Sequence, residues 1–167
     1  LVTKLTMAYR GEVISNLKNH TIHIYGGDLS YGTIDNPLLK INREHVIYRP
    51  ATLDYSDTAA IYAKSKVSLN ISSLQFDSAI NNRIIDIVLA GGFVLTDRRD
   101  DLLNASALAH EISFDTPEEM QYRLDFFLDP KNLDYYLDVK SRVHEEFKEK
   151  YSYQTVCREI LESLVAV

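Results

Sequence analysis

The segment "NNRIIDIVLAGGFVLTD", residues 81–97, carries two charged side chains in the first turns of an otherwise apolar predicted helix. Arg83 could clamp a phosphate through two parallel hydrogen bonds, and Asp86 could accept hydrogen bonds from paired hydroxyls such as those of ribose. Because the two residues are three apart, they project from the same side of a helix. A helix start at Asn81 or Asn82 adds backbone N–H groups and the positive end of the dipole. These features together predict an anion site.

Each of these features also has a purely structural explanation. At a spacing of three residues, Arg83 and Asp86 can form an intrahelical ion pair that contributes only about a few tenths of a kcal/mol. Gly91 and Gly92 can simply end the helix, and on local grounds we interpret them as a helix stop. The anion site and the ion pair therefore remain alternatives at this point.

The elements that must position these residues alternate along the chain. Short β-branched and aromatic runs predict strands at "TIHIYGG", "HVIYRP", "VSLNIS", "FVLT" and "EISF". Helical spacing of apolar residues predicts helices around them, among them Met7 to Lys18 with Thr6 as cap and a helix capped by Ser56 or Asp57. The alternation predicts one α/β domain over residues 1–167. We expect a Rossmann-like parallel sheet of at least four strands, buried and covered by helices on both faces.

In such a sheet, ligands bind beyond the carboxyl ends of the strands, where loops lead into helices. Four loops follow the predicted strands, namely "GGDLSYG", "RPATLDYSD", "SSLQFDSAINN" and "DRRDD". Besides Arg83 and Asp86, the candidate binding residues at these strand ends are Gly26, Gly27, Asp28, Arg49, Ser72, Ser73, Asn81 and Asn82.

Composition excludes several other functional classes. The 167 residues carry a formal net charge of −6, without the clustered basic surface that a nucleic-acid-binding domain needs. The single cysteine, Cys157, cannot form an internal disulfide. No apolar run approaches the roughly 20 residues of a transmembrane helix. We therefore expect a cytoplasmic protein without a nucleic-acid partner.

The order of motifs "YAKSKVSLNIS…INNRIIDIVLAGGFVLTD" resembles the donor-side domain of GT-B glycosyltransferases, in the group-1-like branch that includes spore-maturation-type proteins. Upstream, "YRGEVISNL…IHIYGG" is similar to the same family, as are "EISFDTPEEMQYRLDFFLDP" and "EKYSYQTV" downstream. The resemblance spans nearly the whole chain. The residues that match the central pattern are Asn70, Asn81, Arg83, Ala90, Gly92, Thr96 and Asp97.

This resemblance implies a nucleotide-diphospho-sugar as donor substrate, with no metal or other cofactor. The diphosphate would lie at the helix start with Arg83 as its stabiliser, and the ribose hydroxyls near Asp86. The nucleobase would lie near Gly26 to Asp28 and Tyr48 to Pro50.

A metal-dependent GT-A design would instead hold a divalent ion with an Asp-x-Asp motif after a strand. The run "TDRRDD" offers Asp97, Asp100 and Asp101 without that spacing. Hard cations need several converging oxygens, so we interpret these three acids as a solvated loop.

Three departures from the family pattern leave a second function open. Asp86 stands where the family usually has Glu, Ser78 replaces an acid of the wider superfamily, and an arginine after the closing "TY" has no counterpart. The acceptor domain, which commonly supplies the catalytic base, and the family's first strand are not evident. The sequence therefore predicts a donor-binding fragment of a longer GT-B glycosyltransferase, and the alternative is a noncatalytic scaffold or binding module with the same fold.

Overall fold

The computed structural model describes residues 2–26, 45–52 and 54–165. Within these ranges the chain forms five strands and seven α-helices. In chain order they are α1 (Val2–Ser15), β1 (Ile22–Tyr25), β2 (Val46–Arg49), α2 (Tyr55–Lys64), β3 (Ser68–Asn70), α3 (Asn82–Leu89), β4 (Val94–Asp97), α4 (Asp100–Ala105), β5 (Ser113–Phe114), α5 (Pro117–Leu128), α6 (Leu133–Tyr151) and α7 (Tyr153–Val165). A short 3-10 turn, Pro130–Asn132, joins α5 to α6.

All strand pairs in the described residues are parallel, which confirms the α/β, Rossmann-like fold class. β1 pairs with β2, and β4 lies between β3 and β5. The described strands thus form two sheets rather than the single sheet of at least four strands that the sequence predicts. The apolar pattern of a strand indicates that it is buried, but it does not determine which strand pairs with it, because pairing depends on distant segments.

Helices cover both faces of the three-stranded sheet, as predicted. Successive side chains of a strand point to opposite faces of the sheet, and in β4 the side chains on both faces are buried. Val94 packs in a core cluster with residues of α3 and α6, whereas Leu95 packs in a second cluster with residues of α1 and α5. Ile22 of β1 also packs against the second cluster, so both sheets share this part of the core.

The two-stranded sheet differs from the prediction of buried strands. Residues alternate between half-buried and exposed along both β1 and β2, and His23, Tyr25, Ile47 and Arg49 are on the exposed side. One face of this sheet is therefore accessible in the described part of the chain. That alternation is typical of a sheet that packs on one side only.

Two predicted helix caps were wrong. Asp54 caps α2, because its Oδ1 accepts a hydrogen bond from the Asp57 backbone N–H at 3.0 Å, in place of the predicted Ser56 or Asp57. α1 begins near Val2, so Thr6 lies inside the helix, where its hydroxyl makes a tertiary contact instead. Several consecutive polar residues can each act as a cap, and local sequence does not choose between them.

Glycine is needed at the two positions after α3 for different structural reasons. Gly91 has a φ of +79° and follows the last turn, which confirms it as the helix stop. Gly92 does not need glycine for its φ. A Cβ there would lie 2.9 Å from the carbonyl oxygens of Ile87 and Tyr62, so Gly92 allows α3, β4 and the end of α2 to approach closely.

We expect Gly92→Ala to lower the free energy of unfolding by about 1–3 kcal/mol, because backbone atoms on two elements must move apart. Urea denaturation measures this loss. Gly91→Ala is the matched control, since a Cβ there meets nothing within 4 Å and only the left-handed backbone is strained. A Gly92→Ala variant as stable as the wild type would contradict the packing explanation.

The last helix, α7, contributes no buried residue to the core. Val156, Ile160, Leu161 and Leu164 are all exposed, and they give α7 an apolar side without a cover in the described chain. Among the described helices, none combines the length and the apolar character that crossing a membrane requires.

Candidate functional site

α1 lies across the loop that follows β3, residues 71–81, and fixes its first half. The Thr6 hydroxyl lies 3.3 Å from the Ser73 hydroxyl and accepts a hydrogen bond from the Leu74 backbone N–H at 3.2 Å. One turn later, Arg10 donates its Nε–H to the carbonyl oxygen of Ile71 at 2.9 Å. Thr6 and Arg10 are four residues apart, so they lie on the same side of α1.

A buried polar network joins the carboxyl ends of β3 and β4. Asn70 donates to the Thr96 hydroxyl at 3.0 Å and to the Ser72 hydroxyl at 3.4 Å. The Ser72 backbone N–H donates to Asp97 Oδ1 at 2.9 Å. The other carboxylate oxygen of Asp97 forms a short ion pair with Arg99. The network holds the two strand ends in register, directly below the loop.

The three acids of "TDRRDD" therefore do not form one solvated loop. Asp97 is only 4% exposed and fully engaged, so the sequence-based interpretation was wrong for this residue. Asp100 and Asp101 are exposed in the first turn of α4, where acidic side chains interact favourably with the helix dipole. Asp101 also donates its backbone N–H to the carbonyl oxygen of Ser78 at 3.1 Å, which ties α4 to the loop.

The start of α3 is less open to an anion than the sequence predicts. Asn81 is the N-cap, and its side-chain oxygen accepts a hydrogen bond from the Arg83 backbone N–H at 2.9 Å. The Ile84 backbone N–H donates to the Asn81 carbonyl oxygen at 2.9 Å. Asn82 follows the cap and is exposed. Since the protein itself occupies two N–H groups of the first turn, side chains must supply more of any anion binding here.

Arg83 is exposed and lies near a second guanidinium group that the sequence analysis missed, that of Arg10. Burial lowers the pKa of Arg10, and the positive charge of Arg83 lowers it further, whereas Asp97 raises it. Two arginines, one on α1 and one on α3, thus interact electrostatically, and Arg10 also contacts the residue that follows β3. The mutual repulsion of two like charges makes this position favourable for a ligand with negative charge.

Asp86 interacts with Tyr55 rather than with its helical neighbour Arg83. The Tyr55 hydroxyl donates to Asp86 Oδ1 at 2.7 Å, and the described part of the chain shows no ion pair between Asp86 and Arg83. This hydrogen bond, with burial and the charge of Asp86 as smaller causes, raises the pKa of Tyr55 to about 12. Tyr55 begins α2, so the contact joins the start of α2 to α3.

Gly26 and Arg49 lie together at the carboxyl end of the two-stranded sheet. Gly26 has a φ of +83°, which favours glycine, and donates its N–H to the Arg49 carbonyl oxygen at 3.3 Å. The Arg49 side chain is directed along the exposed face, where Nε–H donates to His23 Nδ1 at 3.5 Å. Gly27 and Asp28 are outside the described residues.

The two predicted serines lie deeper than the charged groups. Ser72 is fully buried, and Ser73 is half-buried with its hydroxyl in contact with Thr6 and with the Gln75 backbone N–H. Both serines therefore shape the loop from within. Of the predicted residues on α3, Arg83 reaches the surface and Asp86 is half-buried.

This group of residues forms an open surface. A hollow lined by Gly91, Leu137, Lys140, Ser141 and His144 lies at the opposite end of α3, away from the carboxyl ends of the strands. The candidate site therefore consists of the exposed Arg83 and Tyr55, near the starts of α3 and α2, and of the half-buried Arg10 and Asp86.

Comparison with known families identifies a match over most of the chain. A family model described as "Glycosyl transferase-like" matches residues 10–162. The matched range includes Arg10, Tyr55, Arg83 and Asp86. No significant match was found among curated proteins or among solved structures.

Proposed function

The chain belongs to the glycosyl transferase-like family, and from this premise we propose that it binds a nucleotide-diphospho-sugar and takes part in transfer of the sugar to an acceptor. The observation that carries the proposal is the group of charged side chains after β3. Arg83 and Asp86 lie three residues apart on α3, and the charge of Arg83 acts on Arg10, which contacts the Ile71 carbonyl oxygen. Two cations with a nearby hydroxyl-binding carboxylate match the two halves of a nucleoside diphosphate.

The arginines act on the diphosphate leaving group. During transfer, the bond between the anomeric carbon and the diphosphate oxygen breaks, and its electron pair remains on that oxygen. The acceptor oxygen forms the new bond to the anomeric carbon and releases its proton to a base. Because negative charge on the diphosphate grows as the bond breaks, guanidinium groups already in position stabilise the transition state more than the ground state.

Asp86 receives the ribose, and the nucleobase lies towards the end of the two-stranded sheet. A carboxylate oxygen accepts hydrogen bonds readily from sugar hydroxyls. Gly26 and Arg49 are at the carboxyl ends of β1 and β2, and the chain continues from β2 to α2, whose first residue, Tyr55, contacts Asp86. In the proposed complex, the nucleotide extends from Gly26 to Arg83.

The proposed chemistry is of the metal-independent GT-B type. Asp97, the one acid at the end of β4, is occupied by Arg99 and by the Ser72 N–H, whereas Asp100 and Asp101 are exposed on α4. These three carboxylates do not converge as ligands for a divalent ion. The two guanidinium groups supply the positive charge instead.

We assign acceptor binding to a second lobe, the acceptor domain of a GT-B protein. α7 carries an apolar side that is exposed in the described part of the chain. We propose that the second lobe packs on this side of α7.

Replacement of Asp86 with asparagine tests the function. Uridine or guanosine diphosphate should bind the wild type with a dissociation constant from high micromolar to millimolar, roughly −4 to −6 kcal/mol, because one side of the site is open. Asp86→Asn should weaken both nucleotides by about 1 kcal/mol or more and leave inorganic pyrophosphate unchanged, since pyrophosphate has no ribose. Heteronuclear NMR titration measures the affinities.

The control is Asp138→Asn, which makes the same chemical change on the exposed surface of α6. Chemical shift changes should concentrate in residues 71–86 and at Tyr55. Shifts confined to α6, or a wild-type protein that binds no nucleoside diphosphate, would contradict the proposal and favour a noncatalytic scaffold with this fold.

A further inference from the structure

We propose that Tyr55 and Asp86 act as one unit that recognises the vicinal hydroxyl pair of the ribose, with Tyr55 as a specificity-determining residue. This inference rests on the proposed function, because it assumes that the ligand is a ribonucleotide. One sugar hydroxyl donates to the Tyr55 Oη, and the other donates to Asp86 Oδ2.

The position of Tyr55 follows from its contacts. Its side chain is the first of α2 and is 66% exposed, so packing does little to fix the ring. The 2.7 Å hydrogen bond to Asp86 Oδ1 holds its hydroxyl instead. An exposed tyrosine that reaches from one helix to a half-buried carboxylate on another is well placed to meet a ligand bound at that carboxylate.

The free hydrogen-bond acceptors of Tyr55 and Asp86 match the two donors of a vicinal hydroxyl pair. The Tyr55 hydroxyl uses its one proton on Asp86, and its oxygen keeps lone pairs that can accept. The ionised carboxylate has only acceptors, and Oδ1 is the atom that Tyr55 occupies. The unit therefore offers two acceptors from two residues, and a vicinal diol offers two donors.

The hydrogen bond also makes the Tyr55 oxygen a better acceptor. A phenol that donates to a carboxylate is polarised, and chains of hydrogen bonds strengthen one another. The hydrogen bond to Asp86, with burial as a smaller cause, raises the pKa of Tyr55 to about 12. The hydroxyl is protonated at neutral pH, as in any ordinary tyrosine, and its proton is donated to Asp86. A deoxynucleotide removes one donor and leaves one acceptor of the unit unused.

The test compares Tyr55→Phe with the wild type against four probes: uridine diphosphate, its 2′-deoxy and 3′-deoxy analogues, and inorganic pyrophosphate. Loss of one neutral hydrogen bond should weaken uridine diphosphate binding roughly 2- to 12-fold. Discrimination against one of the two deoxy analogues should disappear, and pyrophosphate affinity should remain as in the wild type. Tyr122→Phe is the matched control, since Tyr122 is 69% exposed and lies on α5.

A double-mutant cycle separates the unit from two independent contacts. If Tyr55 and Asp86 act as one unit, the losses of uridine diphosphate affinity caused by Tyr55→Phe and by Asp86→Asn should not add in the double variant. The inference would be overturned if Tyr55→Phe still discriminated fully against both deoxy analogues, or if it lost as much affinity for pyrophosphate as for uridine diphosphate. In either case, binding of uridine diphosphate that depends on Arg83 would still support the proposed function. A wild type that binds neither uridine diphosphate nor pyrophosphate would overturn both.

Discussion

Replacement of Asp97 with alanine should lower the free energy of unfolding by about 3–5 kcal/mol, because it leaves the largely buried guanidinium of Arg99 without its carboxylate. Asp97 itself is only 4% exposed and pairs with Arg99 through one oxygen. Its other oxygen accepts the Ser72 backbone N–H, which would also lose its partner. The Arg99 Nε is already buried without a hydrogen bond, so the site cannot easily compensate.

Urea denaturation at neutral pH measures this loss, with Asp138→Ala as the control. Asp138 also pairs with an arginine, Arg142, but both side chains are more than half exposed. Removal of such a surface pair should cost less than about 1 kcal/mol. Equal losses in the two variants would mean that the buried network does not hold β3 and β4 together.

Local sequence patterns predict the region from β3 to β4 well, because local interactions form its elements. The Asn81 cap, the apolar residues of α3 and the stop at Gly91 all act within a few residues of one another. Apolar runs likewise predict buried strands, and alternation of strands with helices predicts the parallel arrangement. For the same reason, the fold class could be predicted although the division into two sheets could not.

The partners of the site residues come from distant segments, and no local pattern indicates them. Arg10 reaches Ile71 across 61 positions, and Tyr55 reaches Asp86 across 31. The network of Asp97 with Ser72 spans 25 positions, which is why an acid-rich run looked solvated. Such contacts depend on how whole elements pack, so the single sequence identifies Arg83 and Asp86 but neither Arg10 nor the partners of the site residues.

The contact between Tyr55 and Asp86 also changes how the charged residues of α3 are explained. A spacing of three residues predicts an intrahelical ion pair, yet Asp86 accepts from Tyr55 and Arg83 lies near another cation. The intrahelical ion pair therefore does not account for Arg83, and its contact with a diphosphate stays a prediction.

Arg83→Ala should weaken binding of uridine diphosphate and of inorganic pyrophosphate alike by about 1.5–3 kcal/mol, the range for a hydrogen bond to a charged group. Both ligands carry the diphosphate that Arg83 contacts in the proposed complex. The melting temperature should stay near that of the wild type, because Arg83 is exposed and no part of the core. Calorimetric or NMR titration at low ionic strength measures the affinities, since salt screens the interaction.

Two further variants and one control variant distinguish a phosphate clamp from a general effect of charge. Arg83→Lys keeps the charge but loses the planar pair of donors, so it should recover only part of the affinity. Arg10→Ala should weaken both ligands and also lower stability, because the Ile71 carbonyl oxygen loses its donor. Arg142→Ala removes one positive charge from the exposed surface of α6 and should change neither affinity. If Arg83→Ala leaves pyrophosphate binding unchanged, the two arginines do not form the diphosphate site, and the charge on α3 needs another explanation.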